Sequence, residues 1–206
     1  MVVDILLAQG GWDIVGYTDA GPASREVLGF PVLGRDEEVL PALRRQGVEA
    51  AFVALGDNSL RLRVAASLRA FGFAFPNAVS PSAFVSPNAA LGHGIAVMPQ
   101  AAINVAATIG DFAIINTSAS VDHDCVVGEG AHIGPGAVLA GGVRVGARAF
   151  VGVGAVAVPG VEIGADAVIG AGAAVIRHVP AGKVAIGVPA KIRRLANAGA
   201  AGKRKS

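Results

Sequence analysis

Residues 119–145 read ASVDHDCVVGEGAHIGPGAVLAGGVRV. Every sixth residue is a large aliphatic (Val121, Val127, Ile133, Leu139, Val145), and two places before each stands a smaller one (Ala119, Cys125, Ala131, Ala137, Val143). The period extends in both directions. Steps of six from Val85 to Val175 visit sixteen positions, of which fifteen are Val, Ile or Leu and only Ala157 departs. Those three types make up about a quarter of the chain, so chance does not account for the pattern. The position two before each carries twelve Ala, two Val, one Ile and Cys125. The position just after is most often Gly, with Asn104, Asn116 and Asp122 among the exceptions. These types tolerate a tight turn with positive φ, which the spacing predicts there.

Six-residue repeats of this form make short strands that wrap into a parallel β-helix, each repeat one face. With three faces per coil, sixteen repeats give slightly more than five coils, roughly 25 Å of stack at about 4.8 Å per layer. Flat faces and exposed end coils need covering, which favours an oligomer.

The register sorts the polar residues of the stretch. Val121 points inward, and Cys125 takes the small inward place of Ala119 and Ala131, so it packs rather than acts as a nucleophile. Asp122 falls at the turn, and His123 and Asp124 fall on the outward corner. Gly141 is eighteen residues later and stacks above His123, its N–H reachable with no side chain in the way. His132 belongs to another face and reaches His123 only from a neighbouring subunit. His93 holds the register of His123 without a carboxylate beside it, and His178 lies past the last clear repeat; both read as structural or solvated. A base, an adjacent carboxylate and a free backbone donor are the parts that acyl transfer requires.

Residues 1–78 follow another rule. VVDILLAQ reads as a helix ended by Gly10 and Gly11, DIVGYTDA as a strand entering a loop, RDEEVLPALRRQG as a second helix, EAAFVAL as a buried strand, SLRLRVAASLRAFG as a third helix and FAFPNAV as a last strand. That order predicts a small parallel, Rossmann-like α/β domain, with ligands at the strand ends, in the loops of Asp19 and of Gly56, Asp57 and Asn58. Nucleotide-binding units of this kind open with a strand and a glycine-rich turn, whereas this chain opens inside a helix. The first strand is expected to be missing, either because the start lies upstream or because that edge has been lost. Three parts follow: an α/β domain at 1–78, a β-helix at 79–182, and a C-terminal segment at 183–206.

Composition narrows the class. The 206 residues carry a net charge of +2 and a single cysteine, and mean hydropathy is +0.59. Polar residues and glycines break every apolar run short of the roughly eighteen residues of a membrane helix, so no span is expected. The opening has neither a basic leader nor a long apolar run, which points to a cytoplasmic address. The basic tail, KIRRLANAGAAGKRKS, reads as a solvated end rather than a nucleic-acid arm, because no aromatic residue is interleaved with its charges.

The run at 116–141, NTSASVDHDCVVGEGAHIGPGAVLAG, closely resembles the sialic-acid O-acetyltransferase family. So do the hexads, GVPAK at 187–191, and GYTDA, ALGDN and SPSAFVSP ahead of the prism. That family includes bacterial nucleotide-linked amino-sugar N-acetyltransferases. The resemblance implies a left-handed β-helix, a homotrimer with active sites between subunits, acetyl-coenzyme A as co-substrate and no metal. By the same resemblance His123 is the general base, and Asp124, which replaces the more usual Glu or matches the Asp of some members, raises its basicity. The Gly141 N–H binds the thioester carbonyl, and His132 faces the coenzyme from the adjacent subunit. Val153 and Ala171 match coenzyme-contacting positions, Ala171 replacing a glycine of relatives. Asn116 matches a residue near the sugar, though an Asn chosen for its turn accounts for it equally. Asp19 and Gly56 match positions that hold the nucleotide. Transfer to an amine or a hydroxyl stays open at this point. A metal-dependent β-helix hydratase and a non-enzymatic β-helix scaffold are the rival readings.

Overall fold

The computed structural model describes residues 1–19 and 25–193. The basic residues of the tail beyond Arg193 lie outside the described residues. From Ala78 onward the chain is a prism of two-residue strands joined by four-residue turns. Each strand pairs in parallel with the one eighteen residues later, as in Val121 with Leu139 and Ile133 with Val151. The first face carries eight strands, including Ile114–Ile115, His132–Ile133, Phe150–Val151 and Val168–Ile169. The second carries six, including Ser120–Val121, Val138–Leu139 and Val156–Ala157, and the third five. The residues predicted to point inward form one buried column, with Val121, Cys125, Ile133 and Leu139 all at 0 % exposure. At the far end the spacing shortens, since Ile169 pairs with Ala185, and Val184–Ile186 pairs antiparallel with Lys191–Ile192.

One expectation is corrected. Positive φ does not fall on the residue just after each core aliphatic, but two residues further on, at Gln100, Ala106, Phe112, Ser118, Asp124 and Arg148 among others. The glycine after the core residue answers a different need, the close approach of coils. A Cβ on Gly128 would stand 2.6 Å from the Ala147 amide nitrogen of the next coil. Asp122 therefore does not sit in the left-handed region, and Asp124 does, at φ 59°.

The three helices of the α/β domain appear as α1 (Val2–Gln9), α2 (Asp36–Arg45) and α3 (Asn58–Ala70). In α2, three acidic residues in the first turn and two arginines in the last complement the helix dipole. The expected parallel sheet is corrected in two respects. The observed sheet is mixed: β1 (Tyr17–Thr18) pairs in parallel with β3 (Phe30–Gly34), which pairs antiparallel with β2 (Glu26–Val27). EAAFVAL forms no strand of its own but one parallel bridge, Ala50 with Ala74. The hairpin joining β2 to β3 turns on Leu28 and Gly29, both at positive φ, and a leucine there hides the turn from composition rules. The domain lies along the first face of the prism. Ile5 and Leu6 of α1 pack on Ala78, Ala96, Met98 and Ile114, while Ala65 and Leu68 of α3 share a cluster with Phe112.

Candidate active site at the prism corners

His123 stands on the corner after the second face. Its Nδ1 lies 2.8 Å from Asp124 Oδ2. The carboxylate can only accept, so Nδ1 carries the hydrogen and Nε2 presents its lone pair. The left-handed backbone of Asp124 belongs to the same turn. Asp122 fixes this corner from the other side: its Oδ1 accepts the His123 N–H at 2.8 Å and an Asn104 Nδ2 hydrogen at 3.0 Å. Hydrogen bonding to Asp124 and the charge of Asp122 both raise the His123 pKa above its ordinary value.

Gly141 lies in the next coil directly against this ring. A Cβ at Gly141 would meet His123 Cε1 at 2.5 Å and Nε2 at 2.6 Å, so only glycine leaves the ring where it is. The Gly141 carbonyl accepts the Gly160 N–H, while its own N–H donates to no group among the described residues. Cys125 is buried, its pKa raised by burial, and its Sγ donates to the Ala140 carbonyl. The imidazole, the carboxylate and the backbone N–H are thus together within one chain.

A second group forms on the first face. Asn116 Nδ2 lies 3.0 Å from His132 Nε2, while Asn116 Oδ1 accepts the Thr117 N–H at 2.8 Å. His132 stacks edge-on against Phe150 at 5.1 Å and its Nδ1 is buried without a partner among the described residues. Burial, then the charge of Arg61, lower its pKa to about 4, against a smaller opposing contribution from the Gly56 backbone. Val153 and Ala171 stand exposed on the corner after this same face, one coil apart. Within one chain, the width of the second face separates this corner from His123 and Gly141.

The loop residues form a third group. Asp57 caps α3 by accepting the Leu60 N–H, and Asn58 Nδ2 donates to the Arg148 and Ala149 carbonyls of the prism. A cavity of about 380 Å³ opens between Gly56, Asp57 and Ser59 on one side and Arg148 and Phe150 on the other. Asp19 follows β1 and pairs with Arg25 at 2.9 Å. Sequence reasoning missed Arg61, which is 1 % exposed and lies beneath this loop. Its signal was a charge at helical spacing with two buried apolar residues, Ala65 and Leu68. His93 and His178 have structural surroundings: the His93 N–H donates to Asp111, and His178 Nδ1 accepts the Glu162 N–H. Among the described residues no three His, Cys, Asp or Glu side chains gather as a metal site, and no helix is long and apolar enough to cross a membrane.

The PglD N-terminal domain matches residues 1–68, and the bacterial transferase hexapeptide (six repeats) matches residues 106–141. The chain is 52 % identical to a histidine-to-asparagine mutant of perosamine N-acetyltransferase from Caulobacter crescentus, solved in complex with CoA and GDP-perosamine. That match covers 94 % of this chain and 90 % of the other at a TM-score of 0.90. The chain belongs to the NeuD/PglD-type sugar acetyltransferases. As in others of this type, its prism is a left-handed parallel β-helix. The acetyltransferase domain of PglB from Neisseria gonorrhoeae FA1090, in complex with acetyl coenzyme A, is 34 % identical over 93 % of this chain and 92 % of that one, with a TM-score of 0.88. WeeI from Acinetobacter baumannii AYE is 27 % identical over 86 % of this chain and 85 % of that one, with a TM-score of 0.80. No curated protein sequence matches the chain. The NeuD/PglD-type enzymes are acetyl-coenzyme A-dependent acetyltransferases, and the chain is an enzyme of that class.

Proposed function

We propose that the chain transfers the acetyl group of acetyl-coenzyme A to the amino group of a sugar carried on a nucleoside diphosphate, in bacterial surface glycan biosynthesis. The observation that carries this reading is the corner where His123, oriented by Asp124, faces a glycine whose N–H is free to donate. His123 Nε2 removes the proton from the sugar nitrogen as that nitrogen forms its bond to the thioester carbonyl carbon. The Gly141 N–H donates to the oxygen on which negative charge develops, and the carbon–sulfur bond then breaks to release the thiol. Cys125, buried and hydrogen-bonded, takes no part.

The remaining residues divide between the two substrates. Asn116 faces the sugar. Asp19 and Gly56 hold the nucleotide. His132, Val153 and Ala171 serve acetyl-coenzyme A from an adjacent subunit. This division calls for a homotrimer, because within one chain the corner of Val153 and Ala171 and the corner of His123 lie at opposite edges of one face. That second face is uncovered and apolar, with Phe84 56 %, Val138 41 % and Val156 43 % exposed, as a self-associating surface requires. The reading places the enzyme in the cytoplasm, where acetyl-coenzyme A is made.

The test is thiol release from acetyl-coenzyme A with GDP-perosamine, UDP-linked 4-amino sugars and free sialic acid as acceptors. Turnover confined to the nucleotide-linked amino sugars upholds the reading. Turnover of sialic acid alone replaces it with hydroxyl transfer, and no turnover with any acceptor overturns it.

A further inference from the structure

Arg61 is a buried guanidinium that makes no ion pair among the described residues, the nearby charge of Asp57 acting on it without a hydrogen bond. Its Nε donates to the Phe112 carbonyl at 2.8 Å, and its Nη1 to the carbonyls of Leu55 at 2.8 Å and Gly56 at 3.3 Å. Its Nη2 donates to Asn58 Oδ1 at 2.8 Å and the Gly130 carbonyl at 2.7 Å. All five acceptors are neutral. Burying a cation in this way is costly, and an apolar side chain would fill the same helical stripe at less cost. What only a planar fork provides is simultaneous attachment to several fixed carbonyls. Two of those carbonyls, of Leu55 and Gly56, belong to the loop before α3, and two, of Phe112 and Gly130, belong to successive coils of the prism. Gly130 keeps the contact close, since a Cβ there would stand 2.8 Å from Leu62 of α3. On the prism side the groups facing His132 are Asn116 and Phe150, and on the domain side the Gly56 backbone and Arg61. Of these only Arg61 is charged.

We propose that Arg61 is a positioning residue for the nucleotide-sugar: it fixes the 55–58 loop in register with the prism face that carries Asn116 and so sets the span between the nucleotide and sugar ends of the site. The proposal rests on the function read above. It requires the effect on the nucleotide-sugar to exceed that on acetyl-coenzyme A, because Val153 and Ala171, assigned to the coenzyme, stand exposed on the prism outside the contacts of Arg61.

Full-length Arg61→Met and Arg61→Lys proteins test it, by steady-state kinetics in both substrates, amide hydrogen exchange over 55–58 and NMR titration of His132. In Arg61→Met, KM for the nucleotide-sugar rises at least tenfold and KM for acetyl-coenzyme A stays within twofold. Exchange in the loop quickens at least tenfold, and the His132 pKa moves up from about 4 as the neighbouring charge is lost. Arg61→Lys keeps the charge without the fork and falls between parent and Arg61→Met in KM, with His132 still low. If Arg61→Met does not fold, Arg61→Lys carries the kinetic and exchange arms. A nucleotide-sugar KM within twofold of the parent in folded variants, or an equal rise in both KM values, overturns the proposal. If the parent itself acetylates no nucleotide-linked sugar, the function fails and takes the substrate assignment with it; faster exchange over 55–58 then upholds only the fixing of the loop by Arg61, and unchanged exchange sinks that too.

Discussion

His123 and Gly141 occupy one space, and the absence of a side chain on the second is what lets the first stay put. A methyl group at Gly141 would lie 2.5 Å from the imidazole, so Gly141→Ala displaces the ring without touching the core of the prism. We expect kcat to fall at least tenfold while circular dichroism and Tm stay near the parent; an unchanged kcat would mean the ring works from another position. Asp124→Asn separates orientation from charge. His123 has a raised pKa whose largest cause is the hydrogen bond to Asp124. As the proposed base, His123 acts unprotonated, so activity is expected to appear as pH rises through that value. Removing the carboxylate lowers the value and moves the acid limb of kcat/KM to lower pH, while the loss of ring orientation reduces the plateau by about 10- to 100-fold. An acid limb that stays in place in Asp124→Asn would show that Asp122, the second cause, governs the titration alone.

Among the elements, the turns of the prism carry the sharpest requirement. A Cβ at Gly128 meets rigid backbone of the next coil, Ala147 N at 2.6 Å and Gly146 C at 2.8 Å. Gly128→Ala is expected to cost about 1–3 kcal/mol, read as a Tm lower by roughly 2–12 °C in differential scanning calorimetry. Gly128 takes no positive φ, so an unaltered Tm would show that coil spacing does not need the glycine. This column was legible as a pattern but not as a cause. The spacing of six marks the glycine, while only the stacked coils reveal that it serves close approach and that the left-handed residue stands two places later, at Asp124 and its equivalents. The β2–β3 hairpin was illegible for a related reason: Leu28 takes a positive φ that composition rules reserve for Gly, Asn or Asp.

On the scale of the molecule, the first face is closed by the α/β domain, which leaves His132 half-buried and neutral. Its folded-state pKa of about 4 lies below the ordinary 6.5. As pH falls below 6.5 the unfolded chain takes up this proton first, so stability is lost progressively from about pH 6.5 to about pH 4. In His132→Gln that loss shrinks, measured as the difference in urea midpoint between pH 7 and pH 5; an identical difference in both proteins would contradict it. The second face is apolar and exposed in the single chain, and lysines at Val138 and Val156 together are expected to convert the proposed homotrimer to single chains in analytical ultracentrifugation and to abolish turnover; a parent that sediments as one chain would contradict the proposed assembly. The corner of His123 was legible because an eighteen-residue register stacks Gly141 on it. The contact of Arg61 and the 55–58 loop with that prism was not, because no period links a helix to the face it covers.

The proposed role of His123 as the base for acetyl transfer to a nucleotide-linked amino sugar is open to direct test. The most direct measurement is the kcat of the parent and of His123→Ala with acetyl-coenzyme A and GDP-perosamine, on samples matched for assembly by light scattering. Turnover by the parent and a loss of about 10²- to 10⁴-fold in the variant are expected. A His123→Ala protein that is fully active in the same assembly would contradict it.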